Sequence, residues 1–325
     1  MLEFVGLLTK TVISDQSGLP TGSAERRSVV CSCDDNYIPH LATMLQTLAD
    51  TNDTKDFDLY LVNPGISPAL QRKLQRFLER LGIRYFSVLI DNAMFADFTL
   101  SGHVTYATYY RLAIPVLLPK NLTRAFYIDV DTCVTGSLDA LWDLDFQGLS
   151  LAAVECPNQP EMDKKRMGMP PESKYLNAGV MMMNLEKLRH LNLLPRSAQY
   201  LQDNFDRVMW WDQDLINIFL QDDWLEIPPI WNLLTKHQVS VDNDYRAEFF
   251  DSAGNRCVDQ VRIVHFCGAG WSKPWHYNCA SEFRHTYLEA RAKTPWKKFR
   301  LTDQPSLVSR VRRKLARSAH WLRRS

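Results

Sequence analysis

From Ser28 onward, short solid apolar runs alternate with longer amphipathic stretches. Val29-Val30-Cys31-Ser32-Cys33 is a compact apolar run closed by Asp34-Asp35-Asn36, and it predicts a buried strand. Pro39 then opens a helix whose apolar positions, Leu41, Leu45 and Leu48, recur at helical spacing. A second strand is expected over 58–62, and a second helix from Pro68 with an apolar face of Leu70, Leu74, Phe77, Leu78 and Leu81. A third strand follows over 83–89, a helix over 106–117 and a strand ending at Asp129. Strand and helix in regular succession predict a sheet with parallel crossovers. Beyond Leu149 the pattern is mixed. Strands are expected over 150–155, 177–184 and 260–266, helices over 185–191, 195–204 and 213–220, a polar loop over 161–173, and irregular chain over 228–243. The expected class is α/β with a mixed, mainly parallel central sheet.

Composition narrows the class. With 325 residues, 46% of them hydrophobic and 23% charged, the chain can bury a sizeable core and is not disordered. Nine Trp and twelve Tyr are generous, and most are expected to pack in that core. Seven Cys, without paired CxxC motifs, suggest neither structural zinc nor a disulfide framework and favour a reducing cytosol. No stretch approaches the roughly 20 apolar residues that span a bilayer, and no signal-peptide pattern opens the sequence.

The net charge of +1 hides an asymmetry. After Asp303 come seven cations and no acid, which leaves 31 basic against 37 acidic residues before them, a net −6. Within that tail Leu307, Val311, Leu315 and Leu322 share one helical stripe opposite a cationic face. Such a helix suits an anionic membrane surface, and the acidic remainder argues against nucleic acid. The expected organisation is a loosely ordered leader over 1–26, one catalytic domain over 27–300, and a basic amphipathic tail over 301–325. The expected location is the inner face of the cytoplasmic membrane, held peripherally.

Chemistry gathers at strand ends. Ala-Phe-Tyr-Ile-Asp-Val-Asp (125–131) is an apolar, β-forming run that ends in Asp129 and Asp131. Residues i and i+2 of an extended segment share a face, so both carboxylates can meet one hard cation, which in turn suits a phosphate. Four other Asp-x-Asp pairs occur, at 56/58, 143/145, 212/214 and 242/244, so spacing alone does not decide; the buried strand and the preceding βα units do. Ile263-Val-His265-Phe-Cys-Gly268, followed by Lys273, offers an imidazole, a close backbone approach and a point charge for phosphate. Cys33-Asp34-Asp35-Asn36-Tyr37 at the first strand end can bond a base and ribose, or cap a helix. No Gly-x-Gly-x-x-Gly follows that strand, which argues against a dinucleotide oxidoreductase.

In their order and spacing these segments resemble the family 8 retaining glycosyltransferases, in the bacterial lipopolysaccharide and lipooligosaccharide galactosyl/glucosyltransferase branch. The residues that carry the likeness are Cys-Asp-Asp-Asn-Tyr (33–37), Thr108-Tyr-Tyr-Arg111-Leu, Tyr-Ile-Asp-Val-Asp (127–131), Leu-Asn-Ala-Gly-Val (176–180), Asp-Gln-Asp (212–214) and the run from His265 to His276. The resemblance implies a GT-A fold, a UDP-sugar donor and Mn2+, with Mg2+ the other candidate ion. It assigns the metal to Asp129, Asp131 and His265, uracil and ribose to Asp34 and Asn36, and the diphosphate to Gly268 and Lys273. Arg111, Asn177, Asp212 and Gln213 would touch the donor, Gln213 near the anomeric carbon. Glu155 stands where the family often has Asp facing the sugar, and the loop over 268–273 looks longer than in close relatives. The implied reaction moves galactose or glucose to a glycolipid oligosaccharide; the alternative is a metal-dependent nucleotidyltransferase or nucleotide-sugar hydrolase.

Overall fold

The first apolar run forms strand β2 (Arg27–Ser32), and its interior is wholly buried. A computed structural model of the chain describes residues 12–16, 26–96, 98, 105–156, 161–235 and 260–306. Helix α1 (Ile38–Thr51) follows with proline in its first turn, where the missing N–H costs nothing. Then come β3 (Phe57–Asn63), α2 (Pro68–Leu81) and β4 (Arg84–Leu89). Gly82 ends α2 in the left-handed conformation (φ 74°), with its N–H turned back to the Glu79 and Leu78 carbonyls. These two βα units lie parallel, as the alternation predicts. An edge strand, β1 (Val12–Asp15), pairs antiparallel with β4, from Val12 opposite Leu89 to Asp15 opposite Phe86. It falls inside the leader expected to be loosely ordered; pairing with an open sheet edge supplies the order that its own composition does not. The remainder of 1–25 lies outside the described residues.

Helix α3 (Tyr110–Leu117) leads into β5 (Arg124–Ile128), which lies parallel beside β2. The chain continues through β6 (Thr132–Val134), α4 (Asp139–Trp142), β7 (Leu151–Glu155), α5 (Glu161–Met167) and β8 (Leu176–Asn184). Next come α6 (Leu185–His190), α7 (Leu193–Asn204), α8 (Trp211–Phe219), β9 (Trp224–Glu226), β10 (Leu233–Leu234), β11 (Ile263–His265) and α9 (Arg284–Lys293). The large sheet has the order β1-β4-β3-β2-β5-β8-β7-β9, and its strand β8 runs antiparallel between β5 and β7.

The sheet is covered on both faces. In β8, Val180 and Met182 point into one apolar layer with α1 and α2, while Met181 and Met183 point into the other with α3, α6 and α7. That is the two-residue alternation of a strand buried on both sides. The segment 161–173, expected as a polar loop, contains α5. Acidic Glu161 and Asp163 in its first turn and basic Lys164, Lys165 and Arg166 in its last complement the helix dipole, and this offsets its lack of an apolar face. Thr302 pairs by backbone with Trp275 and Tyr277, so the chain is tied to the domain past residue 300. The amphipathic stretch from Leu307 lies outside the described residues. Among the described residues no helix is long and apolar enough to cross a membrane. Six described cysteines are free thiols; burial pushes Cys31, Cys33 and Cys133 up in pKa, as for small hydrophobic side chains.

Candidate active site

The site opens at the C-terminal ends of β2 and β5. In β5, Phe126 and Ile128 face the α1 layer, while Ala125 and Tyr127 face the other. Asp129 and Asp131 continue the second face beyond the strand end. A second, small sheet completes the site: β11 lies antiparallel to β6 and parallel to β10. This register sets His265 opposite Thr132, and the Phe266 N–H bonds to the Asp131 carbonyl at 3.0 Å. A histidine more than a hundred residues away thereby meets the carboxylate pair. His265 Nε2 lies 3.4 Å from Asp131 Oδ1 and 3.8 Å from Asp129 Oδ2.

Ligand atoms of Asp129, Asp131 and His265 all lie within 4.8 Å of one another. An octahedral Mg2+ or Mn2+ with bonds of about 2.1 Å asks for ligand separations of roughly 3–4.2 Å, close to what is present. The second layer of contacts fits as well. Asn232 Oδ1 lies 3.1 Å from His265 Nδ1, and its Nδ2 donates to Asn177 Oδ1 at 2.8 Å. That chain turns the Asn232 oxygen toward the ring, so Nδ1 carries the proton and Nε2 keeps its lone pair for a metal. Gly179 makes the close approach feasible. A Cβ there would stand 2.2 Å from His265 Cε1 and 2.8 Å from Asp129 Oδ2.

Two cations face these carboxylates. Arg111, buried and stacked 4.6 Å over the Tyr127 ring, donates to Asp129 Oδ1 at 3.0 Å and pairs with Asp212 Oδ2 at 2.8 Å. Tyr127 OH gives Asp129 Oδ1 a second bond, at 2.7 Å. Lys273 Nζ ion-pairs with Asp131 Oδ2 and donates to the Phe266 carbonyl at 2.9 Å. Burial opposes ionisation of Asp131, yet Lys273 and His265 outweigh it and hold the carboxyl well below the usual range. Burial lifts Asp212 the other way, to about 7, despite the pull of Arg111.

These groups line a cavity of about 760 Å3 shared by Arg111, Asp129, Asp131, Asn177, Asp212, Gln213, His265, Gly268 and Lys273. A smaller cavity of about 170 Å3 adjoins it, with Arg111, Asp129, Asp131, Gly268 and Lys273 in common, and extends to Ser32, Asp34 and Tyr37. Gly268 takes a left-handed φ of 87°, open to glycine without strain. Gln213 is locked: its Oε1 accepts from Asn177 Nδ2 at 3.0 Å and from the Ala178 N–H at 3.1 Å, while its Nε2 donates to Tyr175 OH at 3.2 Å. Trp211 opens α8 with φ 48°, at a cost of about 1–2 kcal/mol for a residue with a Cβ.

A family model described as glycosyl transferase family 8 matches residues 28–279. The chain belongs to glycosyl transferase family 8. It is 31% identical to general stress protein A of Bacillus subtilis, over 82% of this chain and 94% of that protein. It is 24% identical to the lipopolysaccharide 1,3-galactosyltransferase of Salmonella typhimurium, over 84% of this chain and 80% of that enzyme. The galactosyltransferase LgtC, solved with donor and acceptor sugar analogs, superposes with a TM-score of 0.71 at 24% identity, covering 86% of this chain and 98% of that one. The mixed sheet and its two covering layers are the GT-A fold.

Against this frame, ten of the twelve site residues expected from the sequence line one or both cavities, and two do not. Asn36 is exposed, and its N–H bonds to Asp34 Oδ1 at 2.9 Å, which closes the turn before α1. Glu155 lies past an irregularity in the pairing of β7 with β8, half-buried, where burial and Glu226 push its carboxyl up. Four contributors were not foreseen as site residues. Tyr127 and Gly179 sit inside matching segments, where a short motif already marked the place. Asn232 lies in a stretch read as irregular, and Tyr175 joins Gln213 to buried Asp214 through a 2.6 Å bond.

Proposed function

We propose that this family 8 enzyme retains anomeric configuration as it moves a hexose, galactose or glucose, from a UDP-sugar to a glycolipid or lipopolysaccharide core acceptor, with Mn2+ held by Asp129, Asp131 and His265. The observation that carries this reading is the three-ligand cluster set beside Lys273 and open to two adjoining cavities. Charge balance supports it. Asp129 and Asp131 are offset by Arg111 and Lys273, so a divalent cation and a doubly charged diphosphate enter best together. The acceptor class draws on relatives named lipopolysaccharide 1,3-galactosyltransferase and lipopolysaccharide 1,2-glucosyltransferase.

The cation, when bound, supplies Lewis-acid stabilisation of the departing diphosphate. Lys273 adds a point charge and Gly268 a close backbone approach to the phosphates. Asp34 and Tyr37 border the smaller cavity, whose size suits the nucleoside end. Arg111, Asn177, Asp212 and Gln213 border the sugar side. Both lone pairs of the Gln213 carbonyl are already taken by Asn177 and Ala178, so this amide orients the sugar and is no nucleophile. Asp212 Oδ2 lies 2.8 Å from Arg111 Nε in an ion pair. No pair of carboxylates is left poised for a double displacement of the glycosidase kind. A same-face substitution follows, with the leaving phosphate taking the acceptor proton.

A panel of UDP-sugars assayed for UDP release with Mn2+ tests the donor, and proton NMR of the product tests the anomer. UDP-galactose or UDP-glucose should be consumed, with release accelerated by an acceptor glycan and an α-linked product from the α-linked donor. Inverted product excludes the retaining mechanism. Release with equal speed in the absence of acceptor would establish the hydrolase alternative instead.

A further inference from the structure

Helix α2 carries a second concave site, which shares no lining residue with either cavity of the active site. It measures about 490 Å3, and Arg72, Lys73, Arg76, Arg80, Phe77 and Pro295 border it. Arg72, Arg76 and Arg80 recur every fourth residue, a single stripe about 12 Å long at roughly 1.5 Å per residue. Like charges at that spacing work against a helix. No carboxylate lines the groove, and among the described residues none of the four cations has an ion-pair partner. Glu79, the one acid of α2, lies off the lining and accepts from Gln75 Nε2 at 3.0 Å. Neighbouring Lys293, by contrast, is answered by Asp50 at 2.7 Å. The chain before the tail is net −6, so the groove is no overflow of a generally basic surface.

Aromatic rings position two of these cations. Buried Phe77 and Trp296 meet edge to face, with ring centroids 6.4 Å apart. Lys73 Nζ stands 4.6 Å over the Trp296 ring. The Arg80 guanidinium stands 5.2 Å over Phe77, with its Nη2 3.3 Å from the Lys293 carbonyl. Two cations fixed on rings, with two more guanidiniums around the same hollow, suit concentrated negative charge. A carboxylate brings one charge and two oxygens. A phosphate monoester brings about two charges and three oxygens, which guanidinium forks match in pairs. We propose that the groove on α2 binds a phosphate-bearing ligand of at least two negative charges, at a site separate from the donor's. The inference goes beyond the hexosyltransferase reading and does not depend on it.

Calorimetric titration of the metal-free full chain with tripolyphosphate, and flotation of the chain with phosphatidylglycerol vesicles, test this at physiological ionic strength. Wild type should bind one tripolyphosphate per chain. Arg72→Gln combined with Arg76→Gln should weaken that binding at least about tenfold, while Arg72→Lys with Arg76→Lys keeps most of it. The glutamine variant should denature no earlier than wild type, since repulsion along the stripe is relieved. Vesicle adhesion that falls in the glutamine variant identifies the phosphate as a lipid headgroup; adhesion that is unchanged identifies a free phosphorylated ligand. Tripolyphosphate affinity lost in Lys273→Ala and kept in the glutamine variant would place the anion among the donor residues and overturn the site. A wild type that holds neither tripolyphosphate nor vesicles, or a glutamine variant that holds both as well as wild type does, overturns it too.

Discussion

Asp129→Asn is expected to lower metal-dependent hexosyl transfer by about 10³-fold or more, with the fold intact. The substitution is nearly isosteric, and its effect falls on one oxygen. Oδ1 accepts from Tyr127 OH and Arg111 Nη2, and an asparagine carbonyl keeps both bonds. Oδ2 faces His265 Nε2 at 3.8 Å, and an NH2 group there turns two protons toward the ion. Metal stabilisation of a leaving group is worth several kcal/mol, and about 4 kcal/mol corresponds to about 10³ in rate. Transfer rates over a Mn2+ series, with near-UV circular dichroism as the control for folding, measure this. Activity within tenfold of wild type would remove Asp129 from the metal site.

Gly179→Ala should be nearly as damaging, although it touches no charge. The added methyl would meet His265 Cε1 at 2.2 Å and the Asp129 carboxylate at 2.8 Å, well inside contact distance. The imidazole is buried and tied to Asn232, and the Gly179 carbonyl receives the Asp129 N–H at 2.8 Å, so neither side yields freely. Overpacking of this kind costs about 1–3 kcal/mol of stability. The larger effect is on geometry: a displacement of about 1 Å at reacting groups costs on the order of 10²-fold in turnover. The expected signature is a loss of kcat and of Mn2+ affinity together, with a denaturation midpoint that falls only modestly. Wild-type Mn2+ affinity in this variant would show that His265 and Asp129 need not approach each other.

The sequence made the strand–helix succession legible because each buried strand is a solid apolar run and each covering helix has a periodic face. It also separated Asp129 and Asp131 from the lookalike pairs for a physical reason that the structure repeats. Asp58, in one such pair, is buried and answered by Arg26 and Arg84. What periodicity cannot reveal is the small sheet. Strands β6 and β11 have three residues each and lie far apart along the chain, so no local pattern announces their register. A histidine at a strand end suits a third metal ligand beside the carboxylates, but only the likeness to a family assigns His265 that place. Asn232 gives no signal at all, since its role depends on two partners from other segments. Helix α5 escaped for the opposite reason: its stabilisation is electrostatic, and the apolar spacing used to find helices is absent. Glu155, matched to the family's Asp by its place along the chain, follows the irregular pairing of β7 with β8 and is not among the residues that line either cavity.

The central claim is that Asp129, Asp131 and His265 form one site for a divalent cation that a diphosphate completes. Electron paramagnetic resonance of free Mn2+, titrated with the protein in the presence and absence of UDP, tests it without relying on any acceptor. One Mn2+ per chain is expected, bound at least about tenfold more tightly with UDP, and that site should be lost in His265→Ala. Mn2+ affinity that is indifferent to UDP, or unchanged by His265→Ala, would contradict it.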